Sequence, residues 1–214
     1  MDNELPNLPS PKATARRSRK TIRLKDYDYS QEGCYFITIC TNNREETIGR
    51  ITEPGKMILN DVGKMILKYW KEIPRHYENV KLDKYIIMPN HLHGIINIVG
   101  VPPVGTRMAG QNNNRYPNYS RGQNMELQAG RPQGHAPTEQ RKITISDIIG
   151  SFKSITTNEY IKNVKQNNWK PFDKQIWQRN YYEHIITSDK SYNNIREYIE
   201  NNPYNWEDDR NNIF

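Results

Sequence analysis

The chain has 214 residues, 35% of them apolar and 26% charged, with a formal net charge of +7. That length supports one domain with a real core and a few appendages. There is no run of ~18 apolar residues, and the polar opening of the chain lacks the apolar stretch of a signal peptide, so we expect a cytoplasmic protein with no membrane partner.

The charge is concentrated near the N-terminus. Lys12, Arg16, Arg17, Arg19, Lys20, Arg23 and Lys25 fall within residues 11–25, with no acid among them. The remainder of the chain balances close to zero. A flexible arm over 1–25 is expected, with Arg16, Arg17, Arg19 and Lys20 tracking phosphates.

The first element follows at Gly33–Asn42, where β-branched and aromatic residues alternate as in a strand. Cys34 and Cys40 share a face of this strand but stand ~20 Å apart at ~3.3 Å per residue, too far to bridge. Both are expected to be reduced core residues. Thr47–Leu59 reads as a hairpin with Pro54-Gly55 at its turn. Asn60 or Asp61 then caps a helix whose apolar stripe is Val62, Met65, Ile66, Tyr69 and Ile73, ending before Pro74. Val80–Met88 and His91–Val99 read as two antiparallel strands broken by Pro89-Asn90.

Residues 100–142 change character. They are rich in Gly, Pro, Asn, Gln and Arg and almost free of aliphatic residues, so they cannot bury enough apolar surface to offset ordering. A flexible insertion is expected there. Thr144-x-x-Asp147 resembles a capping box and opens a helix to about Lys165, with Ile145, Ile148, Ile149, Phe152, Ile155 and Tyr160 on its apolar side. Lys174–His184 reads as a fourth strand. Ser188 caps a last helix, Asp189–Asn202, which Pro203 ends.

Without the hairpin and last helix the order is βαββαβ. This predicts an α+β fold, with a ferredoxin-like antiparallel sheet and helices on one face. One domain spans 26–206, interrupted by the insertion, with 207–214 as a tail.

Two groups of residues suggest chemistry. His91 and His93 are two apart in a strand, so both imidazoles leave one face and can share a divalent cation, while Leu92, Ile96 and Ile98 point into a core. Tyr198 and Asn202 are one helical turn apart and flank the stripe of Ile195 and Ile199. A tyrosine oxygen can attack a phosphodiester, and a nearby amide oxygen can ligate a hard metal ion. His76, His135 and His184 fall in unrelated contexts, which argues against a zinc hydrolase cluster.

Three strings in order carry a family resemblance. Tyr85-Ile-Ile-Met-Pro-Asn-His-Leu-His-Gly94 resembles the HUH motif of the single-tyrosine transposases, in the REP-associated tyrosine transposase branch. Trp177-Gln-Arg-Asn-Tyr-Tyr-Glu-His-Ile-Ile186 resembles the block before that family's tyrosine helix. Arg196-Glu-Tyr-Ile-Glu-Asn-Asn-Pro203 resembles the helix itself.

The resemblance covers roughly 20–99 and 143–206; the insertion departs from the compact members. It implies an enzyme that cuts and rejoins single-stranded DNA near palindromes or hairpins. It maps the nucleophile onto Tyr198 and the metal ligands onto His91, His93 and Asn202, with Mg²⁺ or Mn²⁺ as cofactor. Attack would leave a 5′-phosphotyrosine and a free 3′-hydroxyl. Tyr181, Tyr182 and Tyr192 are the other candidate nucleophiles. Lys153, Arg179 and Arg196 are expected DNA contacts, and Trp177, Tyr181 and Tyr182 candidate stacking partners for unpaired bases. The alternative is a non-catalytic or decayed nucleic-acid binding module, although no RNP1 pattern is present. A monomer and a homodimer are both compatible with the sequence.

Overall fold

The computed structural model describes residues 28–52, 55–100, 142–209 and 211–212. The arm residues Arg16, Arg17, Arg19 and Lys20, and nearly all of the insertion, lie outside that range. Four strands form the main sheet: β1 (Gly33–Cys40), β4 (Val80–Ile87), β5 (His91–Ile98) and β6 (Tyr182–Ile186). Between the first two lie the hairpin β2 (Gly49–Thr52) and β3 (Lys56–Leu59) and the helix α1 (Asp61–His76). Helix α2 (Ile145–Gln166) precedes β6, and α3 (Asp189–Asn201) follows it.

The sheet order is β4-β5-β1-β6 with every neighbouring pair antiparallel. This is the order a ferredoxin-like βαββαβ chain gives, because each helical crossover skips one strand: β1 to β4 leaves the place that β5 fills, and β5 to β6 passes over β1. The fold is α+β, as the element pattern predicts.

Alternation along the strands divides the sheet into two faces. Tyr35, Ile37 and Ile39 of β1 and Leu92, Ile96 and Ile98 of β5 pack with α1 and α2 into the larger core. Phe36 and Ile95 point the other way and meet Ile199 of α3 in a small second cluster. The two crossover helices therefore share one face, and α3 lies on the opposite one.

Local signals explain the helices. Asn60 accepts a hydrogen bond from Gly63 N, settling which of the two cap candidates acts. At α2 the Thr144/Asp147 capping box forms in both directions. Helix α1 continues past Pro74 to His76, since a proline in the last turn sacrifices only one backbone bond. Its largest buried side chain is Trp70, which the predicted stripe omitted. The indole lies over Gly94 of β5, where a Cβ would fall 2.4 Å from Trp70 Cζ2. Gly55 adopts φ +68°, the left-handed conformation the expected turn requires; Pro54 lies outside the described residues.

Three expectations change. The fourth strand is shorter than Lys174–His184, starting only at Tyr182. Residues 176–178 instead bond to the end of β1, with Asn42 N donating to Ile176 O and Gln178 N to Cys40 O, leaving one isolated bridge between Thr41 and Trp177. Lys174 itself has φ +60°, which no strand accommodates. Ile155 is only half-buried, and Thr156 takes the inward position beside it. Cys34 and Cys40 form no disulfide and are half-buried at the two ends of β1 rather than in the core.

Candidate metal and nucleophile site

The site lies on the α3 face of the sheet. His91 and His93 are both fully buried there, their rings 4.4 Å apart. Each Nδ1 is tied down. His93 Nδ1 is 2.8 Å from Thr38 Oγ1 on the adjacent strand, and His91 Nδ1 is 2.8 Å from Asn90 Oδ1. Asn90 donates its amide hydrogens to Arg44 O and Asn211 O, which identifies Oδ1 as the acceptor. His91 must therefore carry its proton on Nδ1, leaving the Nε2 lone pair for a cation.

Helix α3 is set against the sheet by a β-bulge. The β4–β5 register slips between Leu82 and Tyr85, so two successive residues, Asp83 and Lys84, reach α3. Asp83 accepts a 2.5 Å hydrogen bond from Tyr192 and sits 3.4 Å from Arg196 Nε, while Lys84 pairs with Glu200. The helix then presents Tyr198 to the histidines. Its phenol oxygen lies 3.2 Å from His93 Nε2, and its ring packs edge-on against Phe36. Tyr198 is 40% exposed, so its side chain borders solvent as well as the histidines.

Asn202, just beyond the last helical residue, is buried. Its amide nitrogen donates to Asp209 Oδ2 at 2.8 Å. Its Oδ1 is buried with no hydrogen-bond partner. An orphaned buried amide oxygen is costly unless something else, such as a cation, satisfies it.

Asp209 was not anticipated. It lies in the segment read as a tail, yet it is only 9% exposed. One ligand atom each from His91, His93 and Asp209 can be chosen within 4.8 Å of one another. Burial alone would raise the Asp209 pKa, but the Asn211 N–H, the Asn202 amide and the field of His91 outweigh it and hold the carboxyl below its usual value. Around it the chain forms a short strap: a 3-10 turn at Trp206–Asp208 places the Trp206 ring 5.9 Å from His91, and Asn211 O accepts from Asn90.

The remaining candidates separate cleanly. Tyr192 is occupied by Asp83, which first through their hydrogen bond, then with burial and its charge, raises the phenol pKa. Tyr181 lies on the opposite face, packed against the larger core and within 3.3 Å of Ser146 Oγ. Tyr182 packs in the α3-side cluster and lines an open groove of about 410 Å³ with Phe36, His184, Ser188, Lys190 and Asn194. Trp177 is buried against Phe152 and donates to Thr156, so it is a core residue and not a stacking platform. Lys153 Nζ is spent on Gln178 O and Asn180 O, bracing the loop before β6. Arg196 is shared with Asp83, and Arg179 is exposed. Among the described residues no helix is long and apolar enough to cross a membrane.

Comparison with known proteins gives three similarities. A family model described as "Transposase IS200 like" matches residues 137–202. A Haemophilus influenzae protein described only as uncharacterized is 41% identical over 192 residues, covering 90% of this chain and 92% of its own. A solved structure described as a REP-associated tyrosine transposase bound to a REP hairpin aligns with TM-score 0.46 at 16% identity, over 85% of this chain and 72% of that one.

Proposed function

We propose, for a chain that belongs to the IS200-like transposase family, a divalent-metal-dependent enzyme of the REP-associated branch that nicks and rejoins single-stranded DNA beside hairpins through Tyr198. The observation that carries this reading is the approach of the Tyr198 phenol oxygen to within 3.2 Å of His93 Nε2, in a site whose two histidines are oriented by Thr38 and Asn90. His91, His93 and the unsatisfied Asn202 Oδ1 are the groups that would hold Mg²⁺ or Mn²⁺. Bound there, the ion would withdraw charge from a phosphate oxygen and favour ionisation of a phenol.

The residues of the chain supply the rest. Phe36 and the His93 ring fix the Tyr198 side chain, limiting its freedom before attack. Its oxygen bonds to phosphorus, the P–O3′ bond breaks, and the departing oxygen takes a proton to become a 3′-hydroxyl. The product is a 5′-phosphotyrosine. Attack by a second 3′-hydroxyl reverses the step, so the bond energy is retained and no nucleotide cofactor is consumed. The phenol also lies 3.4 Å from Asp209 Oδ2. The arm residues Arg16, Arg17, Arg19 and Lys20, with Arg179, would engage the backbone, and DNA binding should fall steeply with salt.

A hairpin oligonucleotide with single-stranded flanks tests the proposal. Mixed with the full chain and Mg²⁺ or Mn²⁺, it should give a protein–DNA adduct that survives denaturation and disappears in chelator. Binding without cleavage in every metal would mark a non-catalytic module and overturn it. Sedimentation of the same complex distinguishes a monomer from a homodimer.

A further inference from the structure

We infer that Asp209, carried in by the strap after α3, is a direct carboxylate ligand of the metal ion, so that the site is completed by a residue outside the segment matching the family model. The inference rests on the metal-dependent reading above. It starts from charge. Two neutral imidazoles and an amide oxygen bring no negative charge to a dication, and hard cations such as Mg²⁺ and Mn²⁺ favour carboxylate oxygen. Asp209 supplies that charge at the required place, with a carboxylate oxygen in the same 4.8 Å cluster as ligand atoms of His91 and His93.

Burial supports the same conclusion. Asp209 is 9% exposed, and among the described residues no lysine or arginine pairs with it. A carboxylate withdrawn from water without a nearby cation is costly. Its neighbours orient it: the Asn211 N–H binds Oδ1 at 2.6 Å and the Asn202 amide binds Oδ2 at 2.8 Å. That same Asn202 leaves its own Oδ1 buried and unsatisfied. A cation between these groups would satisfy the orphaned oxygen and give the buried carboxylate a full counter-charge. It would also fasten the strap, because Trp206 and Asn211 already contact His91 and Asn90.

The test measures Mn²⁺ binding by the full chain, by calorimetry and electron paramagnetic resonance, without DNA. Asp209→Asn should weaken binding about 10-fold or more, while the exposed neighbour Asp208→Asn, which removes the same charge without a ligand, should bind as the parent does. Asp209→Cys should lose Mn²⁺ but take Cd²⁺, with a thiolate-to-metal charge-transfer band beyond that of the parent chain with its own two cysteines. Circular dichroism of the metal-free variants identifies any that fail to fold, and the cadmium band still reports coordination if Asp209→Asn is among them. Unchanged Mn²⁺ affinity in Asp209→Asn, alongside loss in His91→Ala, would overturn the role of Asp209 and leave the metal site standing. An equal loss in Asp208→Asn would also overturn it, by showing that the field alone is responsible. If His91→Ala binds Mn²⁺ as well as the parent does, the metal reading itself fails and takes this inference with it.

Discussion

The Tyr198 phenol oxygen and His93 Nε2 lie 3.2 Å apart although 105 residues separate them in the chain. A helix on one side of the sheet and a strand within it meet at this contact. Among the candidate tyrosines, Tyr192, Tyr181 and Tyr182 direct their rings to Asp83, Ser146 and the groove beside α3.

Tyr198→Phe should therefore abolish the covalent adduct while leaving DNA binding within a few-fold of the parent. Tyr192→Phe removes only the anchor on Asp83, a loss of about 1 kcal/mol, and should still form adduct. Denaturing gels of labelled oligonucleotide check both. Adduct formation by Tyr198→Phe would move the nucleophile elsewhere.

Thr38→Val tests the orientation of His93. Valine keeps the volume but leaves the buried Nδ1 without its 2.8 Å partner. The expected cost is ~1–3 kcal/mol in folding stability. The Nδ1-protonated tautomer, which leaves the Nε2 lone pair for the ion, is no longer held, so Mn²⁺ affinity should fall about 10- to 100-fold. Urea denaturation and calorimetry measure the two effects separately, and an unchanged affinity would show that Thr38 does not orient the ring.

Gly94→Ala should destabilise by ~1–3 kcal/mol, because its Cβ would fall 2.4 Å from Trp70 Cζ2. The smaller ring of Trp70→Phe makes space on that side. In the double variant the two costs should be less than additive, a coupling read from urea midpoints in a four-protein cycle. Strict additivity would mean that the sheet yields instead.

Lys153 gives stability a pH signature. Burial pushes its pKa down to about 8 from the ordinary 10.5. Below about 8 both folded and unfolded chains carry the proton, and the cost of burying the charge is fully present. Between about 8 and 10.5 only the unfolded chain binds it, so folding gains stability as pH rises. Relative to Lys153→Met, the parent should gain up to ~1.4 kcal/mol per pH unit over that window. Paired urea titrations at pH 7 and 9.5 check the slope, and parallel curves would refute the shift.

Much of this site was legible in the sequence because its spacings are those of regular elements. A period of two puts His91 and His93 on one strand face, and a separation of four puts Tyr198 and Asn202 within one turn. The same regularity produced the sheet order. What escaped has no period. Asp209 follows Pro203 in a run of turns, and nothing in Glu207-Asp208-Asp209 says which carboxylate turns inward; only tertiary contacts with Asn202 and Asn211 decide it. The fourth strand was overextended for a related reason. Trp177, Tyr181 and Tyr182 give 177–182 the aromatic content of a strand, but backbone groups there are used at the end of β1. The bulge that aims Asp83 at α3 is likewise a property of the pairing with β5, invisible in β4 alone.

Strand β5 carries a rule for interpreting variation. Its odd positions, His91, His93 and Ile95, face the proposed metal site and the seat of α3; its even positions, Leu92, Gly94 and Ile96, serve the core beneath α1 and α2. Selection for activity and selection for foldedness thus act on alternate letters of one eight-residue word. A damaging substitution at an even letter should lower the amount of protein while each surviving molecule still works. A histidine lesson is the reverse: full-length, well-folded and inert. In a copy that has lost its mobility but is kept for another purpose, the odd letters should drift first.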